Sequence, residues 1–211
     1  MTYSECLENH AKLQQRVANS ELKLESVCEA VSERLVKKPR HYSVFCCGSL
    51  SRGDFGKTSD LDIFVFSEKS EDERTRLSDI ELLYELISVN KELNFPEFSN
   101  DGMFLETLSF PEMKKSIGCP KDDEKNLFTS RMLVLLESKP LFNDALYDFQ
   151  MNEIVGWYFR DDVDRSSFKP LFLLNDILRF WRTLCLNYEI VRNDMTKPFR
   201  KKILISNSAE C

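Results

Sequence analysis

Asp60 and Asp62 stand two residues apart at the head of the apolar run Ile63-Phe64-Val65-Phe66. On a strand, residues at this spacing share a face. Two carboxylates held on one face repel each other unless a cation lies between them. Hard oxygen ligands of this kind suit Mg²⁺, which is commonly held by one or two carboxylates and completed by substrate phosphates. Upstream, Tyr42 to Cys47 is rich in aromatic, β-branched and cysteine residues and reads as a first strand. A polar loop with Gly48, Gly53 and Gly56 joins the two runs. Glycine lets backbone N–H groups approach a ligand closely, so Gly48 and Ser49, where the first strand ends, can donate to phosphates. The second strand is about Leu61 to Phe66, and its stretch Ile63 to Phe66 is apolar throughout rather than alternating. That predicts a strand buried on both faces and argues against a surface hairpin with a solvated acidic end.

The order Gly48-Ser49, a spacer containing Arg52-Gly53, then Ser59-Asp60-Leu61-Asp62 resembles the nucleotidyltransferase superfamily that includes DNA polymerase beta. Within it, the spacing is similar to that of bacterial uridylyltransferase domains and their stand-alone relatives. The resemblance implies an α/β (α+β) fold: a small mixed sheet with flanking helices, followed by a helical domain. It implies transfer of an NMP from an NTP such as ATP to an acceptor hydroxyl, with pyrophosphate released. Asp60 and Asp62 would hold Mg²⁺ or Mn²⁺. Gly48, Ser49, Arg52 and Lys57 would attend the triphosphate, with Arg52 either neutralising the leaving group or bracing the loop. A third carboxylate, from a later strand, is also implied. Glu106, the charged residue in the predicted strand Met103 to Phe110, is either that ligand or an exposed glutamate on an edge strand. Asp101, in an Asp-Gly turn, is a second candidate.

The 211 residues are 42% hydrophobic and 30% charged, which predicts a packed core. The net charge of −6 speaks against a long polynucleotide acceptor. Family analogy favours a protein hydroxyl, with a small molecule, a tRNA end or another nucleotide as the other acceptors. The seven cysteines include no Cys-x-x-Cys pair, and only two histidines accompany them, so a zinc site is not expected. Scattered thiols, no signal-like N-terminal segment and no run of membrane-spanning length point to a cytoplasmic protein without a membrane partner.

These residues must be positioned by the rest of the chain. A helical extension is expected over 1–19, the catalytic domain over 20–118 and a helical domain over 119–211. Leu24, Cys28, Val31 and Leu35 form a helical stripe ended by Lys37-Lys38-Pro39. A second helix between Ser67 and Leu93 carries Leu77, Ile80, Leu83, Tyr84 and Ile87 as its apolar face, with Glu71 to Glu73 a solvated first turn. Pro111 to Lys121 reads as irregular. Helices are expected from Asp122 to Glu137, with Arg131 a further phosphate contact, and from Asn143 to Phe159. Phe168 to Val191 is apolar on nearly all sides and reads as the central helix of a bundle. Within it Asn175, Arg179 and Arg182 share a face, and Asp176 can pair with Arg179. They form either an internal salt-bridged network or a face that meets nucleotide phosphates. The alternative to catalysis is a silent relative that binds nucleotide as a regulatory sensor, or that pairs with a partner chain through its N-terminal helix.

Overall fold

The computed structural model describes residues 11–38, 40–56, 59–98, 102, 105–159 and 169–192. The chain divides into two compact units, 1–155 and 156–211. The first is built on a mixed four-stranded sheet: β1 (Tyr42–Cys47), β2 (Asp62–Ser67), β3 (Thr107–Ser109) and β4 (Lys139–Phe142), in the order β3-β2-β1-β4. β1 pairs antiparallel with β2 from Tyr42↔Ser67 to Cys47↔Asp62. β4 runs antiparallel to β1, and β3 runs parallel to β2.

Alternation along β1 sends its side chains into two layers. Tyr42, Val44 and Cys46 join Ile63 and Val65 in the main core, which α1 (Ala11–Leu35) supplies with Val27, Val31 and Leu35. The expected stripe on α1 is therefore the buried one, with Leu24 and Cys28 packed at its margin. On the other side, Phe45 stacks on Phe64 with ring centroids 5.8 Å apart and meets Phe66 edge-on at 4.8 Å. Val65 and Phe66 are fully buried.

After β1 comes α2 (Gly48–Arg52), and after β2 a 3₁₀ turn (Glu71–Glu73) leads to α3 (Arg76–Glu92). The acidic turn is exposed, as expected, and Ser70 and Glu73 close it as a capping box. The apolar face of α3 is not the expected one. Leu82, Leu86 and Val89 face the core, whereas Leu77, Ile80 and Tyr84 are exposed. Two apolar stripes compete on this helix, and packing against α1 selects the one the pattern did not favour.

The expected boundary near 118 falls inside the first unit, because β4 returns to complete the sheet. The stretch read as irregular forms α4 (Phe110–Ser116) and α5 (Pro120–Glu124), and α6 (Leu127–Glu137) follows. Pro111 and Pro120 occupy first turns, where proline costs no hydrogen bond. The helix expected from Asp122 is split by Asn126, whose φ of 54° is left-handed. Then come α7 (Asp144–Trp157) and α8 (Leu171–Arg192).

In the second unit, α8 is not enclosed on all sides: Leu171, Leu174, Leu178 and Leu186 are exposed, while Asp176 and Phe180 are buried. Tyr158 donates to Asp176 Oδ2 at 2.9 Å, and its ring lies 5.4 Å from that of Phe172. Among the described residues no helix is long and apolar enough to cross a membrane.

Candidate active site

The register Cys47↔Asp62 places the end of β1 beside the start of β2. Gly48 follows at φ +70°, a conformation that favours glycine. A β-carbon here would overlap Oδ2 of Asp62 and lie 3.4 Å from its Cγ. The missing side chain is thus what lets the backbone approach this carboxylate. Asp60, half-buried, and Asp62, exposed, line one cavity with Ile63, Phe64, Phe98 and Leu105.

The loop between the strands is tied from both sides. Gly53, left-handed at φ 82°, caps α2 by donating to the Ser49 carbonyl, which also accepts from Asp54 N–H at 3.0 Å. From α1, Arg16 Nε donates to the Asp54 carbonyl at 2.8 Å, and Ser20 Oγ accepts from Phe55 N–H at 3.0 Å. From α6, Glu137 pairs with Arg52 through Oε2, and its carbonyl accepts from Ser51 Oγ. Arg52 also lies 3.6 Å from Asp54 Oδ1. Of the two roles expected for Arg52, the structure supplies the brace. Lys57 lies outside the described residues.

Glu106 has different company. It lines a cavity of about 290 Å³ with Glu71, Lys125 and Asn126, not the one lined by Asp60 and Asp62. Glu106 is exposed and stands just before the edge strand β3, the second of its two expected placements. Partial desolvation pushes its carboxyl above the ordinary value, opposed by a hydrogen bond from Asn126. Nearby, Lys125 Nζ pairs with Glu71 Oε1 at 2.7 Å, and that bond lowers the Glu71 carboxyl. Asp101 lies outside the described residues.

The remaining expected contacts separate. Arg131 is fully buried in a bidentate pair with Asp122, both bonds 2.8 Å, and cannot meet a phosphate. Asn175, Arg179 and Arg182 lie in the second unit. There Asn175 and Arg182 are exposed, and Arg179 Nη1 stands 3.9 Å from Asp176 Oδ1, the internal pair foreseen as one of two readings. Glu137 and Phe98 were not foreseen. Nothing in their local spacing marks them, because each arrives from a distant part of the chain.

The donor set fits a hard divalent cation: two carboxylates at one strand end, with a side-chain-free backbone against one of them. Among the described residues there is no group of three or more His, Cys, Asp or Glu side chains arranged to hold a metal.

Comparison with known proteins accords with this geometry. Residues 27–115 match the family model described as a nucleotidyltransferase domain. That segment runs from mid-α1 to α4 and contains Gly48 and the described residues that line the cavity with the acid pair. No curated protein and no solved structure matched the chain.

Proposed function

We propose, from the nucleotidyltransferase domain at residues 27–115, that the protein moves an NMP from an NTP to an acceptor hydroxyl and releases pyrophosphate. The observation that carries this reading is the pairing of Asp60 and Asp62 in one cavity, with Gly48 bare against Asp62.

Asp60 and Asp62 hold Mg²⁺, or Mn²⁺ in its place. The bound ion supplies charge stabilisation for the entering and leaving oxygens. Gly48 and Ser49 present backbone to the triphosphate. Lys57, in the same loop, takes the cationic role at the leaving pyrophosphate, because Arg52 is engaged by Glu137 and Asp54. The acceptor oxygen bonds to the α-phosphorus, the bond to pyrophosphate breaks, and the hydroxyl proton passes to solvent. The free thiols of Cys28, Cys46, Cys47, Cys119 and Cys185 support a reducing, cytoplasmic setting.

The test is incubation of the full chain with each α-³²P-labelled NTP and Mg²⁺ in cell lysate, beside Asp60→Asn and Asp62→Asn. Label transferred by wild type alone is expected. Equal transfer by either variant overturns the assignment. A second reading, a silent nucleotide-binding protein, is favoured by the placement of Glu106 away from the acid pair. It predicts NTP binding without label transfer.

A further inference from the structure

A second cavity of about 520 Å³ adjoins the acid pair. The two share Phe98, Gly102 and Leu105 as wall residues, so they are neighbours. Volumes of this size suit a small organic molecule, and such sites combine apolar walls with a few placed polar groups. Here the walls are Leu83 and Ile87 of α3 with Phe95 and Phe98 of the segment that follows it. Phe95 is fixed in place: Lys23 Nζ stands 4.4 Å over its ring, and Phe55 meets it edge-on at 5.6 Å.

The polar group is Asn90. It is 4% exposed and lines this cavity. Its Nδ2 donates to the Pro96 carbonyl at 2.9 Å. Its Oδ1 is buried and has no hydrogen-bond partner among the described residues. A buried amide oxygen left without a donor is costly, and a ligand N–H or O–H would remove that cost. Exposed Lys91 and Glu97 also line the cavity.

We propose that this cavity is the acceptor site. It takes a small molecule with a flat apolar body, one hydrogen-bond donor directed at Asn90 Oδ1, and a hydroxyl presented past Phe98 and Leu105 toward Asp60 and Asp62. The assignment rests on the transfer reading of the acid pair. It narrows the acceptor from any hydroxyl to that of a compact amphipathic molecule.

The test uses the full chain, with 8-anilinonaphthalene-1-sulfonate as probe, since it joins an aromatic body to an N–H donor. Saturable one-site fluorescence is expected. Ile87→Trp and Leu83→Trp, which fill the cavity from α3, should each weaken binding at least tenfold while melting cooperatively like wild type. Absence of saturable binding, or unchanged affinity in both folded variants, overturns the site. Mn²⁺ is then added. Enhanced relaxation of the probe's protons in wild type, lost in Asp62→Asn, supports adjacency to the acid pair. Probe binding without that enhancement, while electron paramagnetic resonance shows Mn²⁺ bound, overturns the acceptor role. Competitive displacement of the probe by ATP gives the cavity to the nucleobase and also overturns it. Failure of Mn²⁺ to bind sinks the transfer reading and the acceptor role together. That outcome is recognised by resonance alone, independently of the fluorescence.

Discussion

Gly48 and Asp62 are so close that no side chain fits at position 48 while the carboxylate keeps its place. Two requirements coincide at this glycine: its φ of +70°, and the room taken by Oδ2. Gly48→Ala should therefore displace the carboxylate and lose turnover, with a left-handed backbone penalty of about 1–2 kcal/mol. Gly156→Ala is the comparison, since a β-carbon added there meets nothing within 4 Å. Label transfer and thermal melting of the two variants check this. Wild-type turnover in Gly48→Ala would refute it.

Asp122 and Arg131 form a fully buried bidentate pair. Removing either side chain takes the opposite charge away from the fully buried one that stays. Asp122→Ala or Arg131→Met should each cost roughly 3–5 kcal/mol, and the double variant Asp122→Ala/Arg131→Met should cost less than the sum. Urea midpoints of the three variants measure this, and strictly additive losses would show that the two side chains are not coupled.

Burial governs the thiols. It pushes Cys46 up to about 12 and Cys47 well above the ordinary value, with Glu137 adding to the effect at Cys47. Cys119 and Cys185 are exposed. In the native protein at pH 8, a disulfide reagent should modify Cys119 and Cys185 within minutes and spare Cys46 and Cys47 until denaturant is added. Peptide mapping by mass spectrometry identifies the modified sites.

Glu106, although an exposed residue, has a carboxyl raised by partial burial. A raised folded value means that its favourable contribution is complete below the unfolded carboxylate value of about 4.3 and is lost as pH rises through the folded value. Glu106→Gln cannot ionise. Its melting temperature should therefore gain on wild type as pH climbs from about 4 to about 7, starting from the unfolded value. A difference that is flat across this range would contradict the burial argument.

The sequence carried the centre of the fold better than its edges. β1 and β2 were legible because both are short apolar runs flanking a glycine-bearing loop, and the doublet Asp60 and Asp62 fell at the strand mouth. β4 was not legible. Lys139-Pro140 reads as a helix stop, yet Pro140 sits on an edge strand opposite Phe45, where β1 shifts register. Pro111 and Pro120 misled in the same way, since proline marks a helix start as readily as a break. On α3, Leu77, Ile80 and Tyr84 mislead because they have helical spacing too, and spacing does not say which side the neighbours occupy. At the site, Arg52 and Arg131 were read by charge. Their partners, Glu137 and Asp122, come from elements whose proximity no local spacing encodes.

The register from Tyr42↔Ser67 to Cys47↔Asp62 joins neighbours in sequence, whereas β4 must return from residue 139 to reach β1. Closing the first connection costs less chain entropy than closing the second. The hairpin that sets Asp62 beside Gly48 can therefore form before β4 is added. A chain stalled before β4 docks would already hold both carboxylates near their final spacing, without the Arg52–Glu137 brace that arrives with α6.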